Sequence, residues 1–234
     1  MKWAIEDFVY GATDGAVTTF AIVAGVVGAS LSPSVVLILG FANLFADGFS
    51  MAIGNYLSAK SRIEYVERQR KREEWEIENT TTQKIQEIKD IYSDKGFRDE
   101  LLESIAKVIT SKRKVWVDTM MEEKTGLVGN NNENPIYKAI TTFFAFYLVG
   151  LIPLIPFIYV YFVYFDLSHL VNKIDNVFLY SIVFTAISFF SIGLVKGKVV
   201  NKSPVRSGLN TLIIGGIAAA VAFLVGSLLG AYVK

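Results

Sequence analysis

Two carboxylates, Asp14 and Asp47, lie within stretches that are otherwise apolar. A charge inside a bilayer is expensive, so such a residue is by default a place for an ion, a proton or a polar partner. Each is followed by glycine, in Thr13-Asp14-Gly15 and Ala46-Asp47-Gly48. Small residues let helices approach closely and let a cation or water reach backbone carbonyls. Asn43, Asp47, Ser50 and Met51 fall at i, i+4, i+7 and i+8, which is one face of a helix. A face with an amide, a carboxylate, a hydroxyl and a thioether suits a partner helix or an aqueous path better than lipid. Plainer readings stand beside these. Asp14, about 9 Å into its helix, also fits a headgroup-region carboxylate. Asp47 fits a structural hydrogen bond to a neighbouring helix, and Met51 alone fits core packing.

A second constellation lies in a charged stretch. Lys71-Arg-Glu-Glu-Trp-Glu-Ile-Glu78 places Glu73 and Glu76 at i, i+3, and Glu87 follows on the next predicted helix. Trp116 and Met120 stand at i, i+4, followed by Met121, Glu122 and Glu123. Carboxylates with a few thioethers suit a divalent first-row metal better than Mg²⁺ or Ca²⁺, whose ligands are all oxygen. The plainer reading is a solvated helix face laced with i, i+4 ion pairs.

The elements that must hold these residues follow from hydropathy. Of 234 residues, 52% are hydrophobic and 19% charged, against roughly one quarter charged in soluble domains. Disorder is excluded. With no Cys and one His, His169, a cysteine site, a two-histidine zinc site, a Glu-x-x-His di-iron pair and a His-x-x-Glu-His protease motif within one chain are excluded too. A near-zero net charge gives no case for nucleic acid. Five segments reach the roughly 20 apolar residues that a spanning helix needs: Val9–Leu31, Ser34–Ala59, Ala139–Val163, Val177–Val195 and Gly208–Val233. The first is no signal peptide, since acidic residues precede and interrupt it.

Between the second and third spans, residues 60–138 hold 16 Lys/Arg and 16 Asp/Glu. They read as helices over Ser61–Asn79, Thr82–Tyr92 and Asp99–Thr125, with breaks at Thr80-Thr81-Thr82 and Ser93-Asp-Lys-Gly96. Asn130-Asn-Asn132 and Pro135 mark the return to the membrane. The expected fold is an all-α membrane protein: five transmembrane helices plus a cytoplasmic helical insertion between helices 2 and 3. The expected domains are 1–59, 60–138 and 139–234. Counting loops, 21 of the 23 Lys/Arg fall on one side, leaving Lys173 and Lys234 on the other. The basic side is cytoplasmic, which predicts the N-terminus and the insertion inside and the C-terminus outside.

On these residues the sequence resembles the vacuolar iron transporter family. Thr13-Asp14-Gly15 is similar to the family's Asp-Gly in span one. Phe49-Ser-Met-Ala-Ile-Gly-Asn-Tyr-Leu-Ser-Ala-Lys-Ser61 is similar to its span-two signature. Trp116-Val-Asp-Thr-Met-Met121 and Arg206-Ser-Gly-Leu-Asn-Thr-Leu-Ile-Ile-Gly-Gly216 resemble two further blocks. The resemblance implies a homodimer, a cytoplasmic metal-binding domain and metal export from the cytosol coupled to proton uptake. It implies that Asp14 and Met51 line the path, and that Glu73, Glu76, Glu87, Met120 and Met121 are cytoplasmic ligands. Lys84 and Lys124 stand where the family's pattern has Glu, with Glu122 and Glu123 each near enough to substitute for the second.

The expected function is a divalent-metal transporter for Fe²⁺, with Mn²⁺, Zn²⁺ or Co²⁺ as further cargo, exchanging metal for protons. Asp14, Asn43, Asp47 and Met51 form the membrane ligand set. Glu73, Glu76, Glu87, Met120, Met121 and Glu123 form the cytoplasmic one. No prosthetic group and no enzymatic activity are expected. With no organelle-targeting segment recognised, a prokaryotic plasma membrane is expected. The alternative is a membrane-anchored metal sensor or metal-binding protein without transport.

Overall fold

The structure, a computed structural model, describes residues 2–127, 134–164 and 174–233. Asn130–Asn132, His169, Lys173 and Lys234 lie outside the described residues. Among the described residues every regular element is a helix: α1 (Lys2–Gly28), α2 (Pro33–Asn79), α3 (Thr81–Asp94), α4 (Asp99–Thr110), α5 (Arg113–Thr125), α6 (Pro135–Gly150), α7 (Ile155–Tyr164), α8 (Ile174–Val199) and α9 (Pro204–Val233), with a 3₁₀ turn at Ile152–Leu154. Among the described residues five spans are long and apolar enough to cross a membrane: Ile5–Gly28, Pro33–Asn79, Pro135–Val163, Asn176–Val199 and Pro204–Tyr232. The chain is an integral multi-pass membrane protein with a helical insertion between its second and third spans.

The described residues cluster into two units, Met1–Tyr56 with Asn134–Lys234, and Leu57–Glu133. In the first, α1 is the central element, packed by α6, α8 and α9. Gly11 and Gly15, one turn apart on α1, set its crossing with α6. A Cβ at Gly11 would lie 2.5 Å from the Thr142 carbonyl oxygen, and one at Gly15 would fall onto that of Phe146. With no lipid-water contrast to drive helices together, such backbone approach is what holds them. Apolar side chains fill the remaining space: Phe20, Val23, Leu44, Phe146, Leu154 and Phe157 form one buried cluster.

The third span is broken where a continuous helix was expected. Pro153 and Pro156 lack the N–H groups that a helix there would use, and the chain passes through the 3₁₀ turn before α7 resumes. The Ser181 hydroxyl of α8 donates to the Pro153 carbonyl at 2.7 Å, satisfying an acceptor that the break exposes.

In the second unit, α2 runs unbroken through the charged stretch to Asn79. No Gly or Pro interrupts residues 55–79, and i, i+4 pairs support the exposed face: Lys60–Glu64 at 3.8 Å, Arg70–Glu74 at 3.4 Å and Arg72–Glu76 at 2.8 Å. The Thr80 and Thr81 hydroxyls do not cap α3. They donate back to the Glu76 and Ile77 carbonyls, each at 2.7 Å, and so close the end of α2. The expected single helix over Asp99–Thr125 is two. Thr110 and Ser111 turn their hydroxyls onto the Ala106 and Val108 carbonyls, which competes with continuation. The break lets Ala106 and Ile109 of α4 and Trp116, Val117, Met120 and Met121 of α5 share one core with Ile77 and Ile88.

Candidate metal centres

The insertion brings its three predicted carboxylates together. Glu73 and Glu76 sit one turn apart on α2, and Glu87 faces them from α3. The space between them holds the ammonium of Lys84. Its Nζ lies 2.8 Å from Glu73 Oε2, 2.5 Å from Glu76 Oε2 and 3.1 Å from Glu87 Oε2. Lys124 of α5 adds a second ammonium, 3.4 Å from Glu73 Oε1, 3.8 Å from Glu76 Oε2 and 3.3 Å from Glu87 Oε2. Arg72 closes the other side of Glu76, with Nε 2.8 Å from Oε1. Three carboxylates thus meet three cations. Lys84 is 1% exposed and Glu73 4%.

The electrostatics follow from this arrangement. The hydrogen bond from Lys84, joined by that from Arg72, lowers the Glu76 carboxyl to about 2 from an ordinary 4.5. Burial alone would pull the Lys84 ammonium down; its hydrogen bonds to Glu73, Glu76 and Glu87 outweigh that and hold it above its usual value.

The other predicted cytoplasmic ligands are engaged elsewhere. Met120 and Met121 are both 0% exposed and pack in the apolar core with Ile77, Ile88 and Trp116. Glu123 pairs with Lys95. Among the described residues no set of three or more Asp, Glu or His side chains is disposed to hold a metal ion.

The membrane unit arranges its carboxylates differently. Asp14 is half-buried on α1, and Asp47 on α2 is exposed. The two lie within Coulombic range of one another. A polar chain joins the helices beside them. The Thr18 hydroxyl donates to the Asp14 carbonyl at 2.9 Å, and the Asn43 amide donates to Thr18 Oγ1 at 3.3 Å. Of the predicted face of α2, Asn43 and Met51 turn partly inward while Asp47 and Ser50 are exposed. Met51 packs against the apolar cluster of Phe20, Leu44 and Phe146. Phe45, Phe49 and Ile53 are exposed on the same helix.

Sequence reasoning missed a polar cluster on the same helices. Asn55 donates through Nδ2 to Asp7 Oδ1 at 2.9 Å and to Thr142 Oγ1 at 2.7 Å. Lys138 Nζ stands 3.9 Å from Asp7 Oδ1. Asp7 is 7% exposed, and its Oδ2 is buried without a hydrogen-bond partner. The signal was present: Asp7 and Asp14 are seven residues apart, and i, i+7 is one face of a helix.

Comparison with known proteins agrees with this architecture. The VIT family matches residues 5–227. The vacuolar iron transporter of Toxoplasma gondii is 40% identical over 227 residues, covering 96% of this chain and 74% of the relative. That of Plasmodium falciparum is 33% identical over 228 residues, covering 96% and 82%. Vacuolar iron transporter 1 of Arabidopsis thaliana is 30% identical over 219 residues, covering 94% and 83%.

Proposed function

The chain belongs to the VIT family, and from that premise we propose that it transports divalent iron, and Mn²⁺ with it, out of the cytosol in exchange for protons. One observation carries the reading: the Asn43–Thr18 hydrogen bond joins α1 and α2 at 3.3 Å, and Asp14 and Asp47 stand one helical turn from its two ends, with no Lys or Arg paired to either among the described residues. Carboxylates within membrane spans that lack a paired cation favour a metal ion or protons beside them. Ionised, they bind metal; protonated, they release it. Asn43 adds an amide oxygen and Met51 a soft donor, which favours Fe²⁺ over Mg²⁺ and Ca²⁺.

One chain supplies too few ligands for a closed site. The exposed face of α2, with Asp47, Ser50, Phe45 and Phe49, supports a homodimer in which two such sets meet across a twofold axis. The Lys/Arg bias supports the N-terminus and the insertion on the cytoplasmic side and the C-terminus outside. In a prokaryotic plasma membrane such transport is efflux. The sensor reading would need the insertion to hold metal, and Lys84 fills the centre of its carboxylate cluster.

Purified protein in liposomes, with a pH dye inside and Fe²⁺ or Mn²⁺ supplied across a metal gradient, tests this. Wild type is expected to couple metal flux to opposed proton flux, and Asp14→Asn to lose both while remaining folded. Wild-type flux in Asp14→Asn overturns the assignment of the path, and metal flux without proton movement overturns the exchange.

A further inference from the structure

An ammonium has three N–H donors, and Lys84 has three carboxylate partners. The partners belong to Glu73 and Glu76 of α2 and Glu87 of α3, with Nζ–O distances of 2.5–3.1 Å. Burying a charge is costly unless it is paired and hydrogen-bonded. Lys84 meets both conditions while 1% exposed. Lys124, held by α5, lies within 4.0 Å of all three carboxylates. One tethered cation therefore fills the middle of the cluster and a second covers it.

A divalent first-row ion needs oxygens at about 2.0–2.2 Å, close to the distances of Zn²⁺ and Mg²⁺ sites. To reach these oxygens it must take the place of the Lys84 ammonium. For that, Lys84 must leave a position only 1% exposed and give up all three of its carboxylate partners, with Lys124 standing across the same three groups. The residues present do not fit a metal ion while both lysines are in place.

We propose that Lys84, backed by Lys124, is a resident cation of the insertion: it closes the Glu73–Glu76–Glu87 cluster in place of a divalent ion, so that the insertion reaches its folded arrangement without metal and does not collect cargo. This concerns the insertion alone. The consequence for transport, that cargo reaches Asp14 without passing through a cytoplasmic carboxylate store, rests on the function proposed above.

The four methionines make the test direct, because Met120 and Met121 lie in the insertion and Met51 beside the membrane carboxylates. Full-length protein labelled with ¹³C at the methionine methyls is titrated with Mn²⁺ alone, whose unpaired electrons broaden nearby signals. In wild type at one equivalent per chain, Met120 and Met121 are expected to stay sharp. In Lys84→Gln with Lys124→Gln the cluster opens, and both are expected to broaden. Broadening of Met120 and Met121 in wild type overturns the proposal. Sharp signals in a folded double variant overturn it as well, since the lysines would then not be what keeps metal out. If the double variant does not fold, the wild-type spectrum decides alone. A sharp Met51 in wild type counts against the membrane site instead, so the two readings fail separately.

Discussion

The insertion and the membrane unit both gather carboxylates from neighbouring helices, and they treat them in opposite ways. In the insertion, Glu73, Glu76 and Glu87 share the ammoniums of Lys84 and Lys124, and Arg72 adds a third cation at Glu76. In the membrane unit, Asp14 and Asp47 sit within reach of each other's charge and beside neutral donors, Thr18 and Asn43. A carboxylate that already has its cation is a structural element. One that lacks it, where water is scarce, is available to a mobile cation or a proton. The presence of acidic residues does not separate the two regions; the location of the positive charge does.

The sharpest way to break this comparison is to neutralise one carboxylate in each region and measure flux in liposomes. Asp14→Asn should lose essentially all metal and proton flux. Glu87→Gln, on the half-buried rim of the insertion cluster, should keep wild-type flux. The reverse pattern would place the metal path in the insertion.

The next largest effect is on stability. Lys84→Gln removes the nearer of the two ammoniums at the buried Glu73, leaving Lys124 at 3.4 Å, and breaking a buried pair costs about 3–5 kcal/mol. Urea unfolding followed by tryptophan fluorescence, with Trp75 and Trp116 reporting on the insertion, should show a loss of this size. A change within error would mean that Lys84 is not what holds the cluster.

The same pairing sets a pH dependence. The folded Glu76 carboxyl is held at about 2 against an ordinary 4.5. A depressed folded value adds stability above the unfolded one and loses it as the pH falls, here between pH 4.5 and 2. The amount is on the order of 3 kcal/mol. Lys84 has the opposite sign. Its value is raised above 10.5, so its contribution is complete below that pH and is lost only as the pH climbs through the higher folded value. Unfolding of the insertion should therefore steepen below pH 4.5, and Lys84→Gln should flatten that acid limb. An unchanged limb in the variant would assign the acid sensitivity to other groups.

The smallest effect sharpens the membrane side. Met51 packs against apolar neighbours, and Leu has a similar volume, so Met51→Leu should cost less than about 1.5 kcal/mol. Fe²⁺ flux should nevertheless fall more than Mn²⁺ flux, because the thioether is the softer donor. Equal flux losses, or none, would leave Met51 as packing alone.

Much of this molecule was legible along the chain. Hydropathy over some twenty residues is a local quantity that sums along the sequence, and it located five spans and the charged stretch between the second and third. Thr80-Thr81-Thr82 and Ser93–Gly96 marked real breaks, because hydroxyls and a glycine act on the backbone within a few residues of themselves. Spacing on a helix also placed Glu73 beside Glu76 and Asn43 near Met51.

What spacing could not convey is which charges meet across helices. Lys84 and Glu87 are i, i+3, but Glu73 lies on a different helix from both, and Lys124 on a third. Only the packing of α2, α3 and α5 decides that an ammonium stands among these carboxylates. That packing sends Met120 and Met121 into the core, and in the membrane unit the meeting of α1, α2 and α6 turns Asp7 toward Asn55, which also bonds Thr142. The covalent chain determined which groups can carry charge and how far apart they sit on one helix. The meeting of helices distant in sequence determined which of those charges are already neutralised, because Coulombic pairing depends on distance in space and burial.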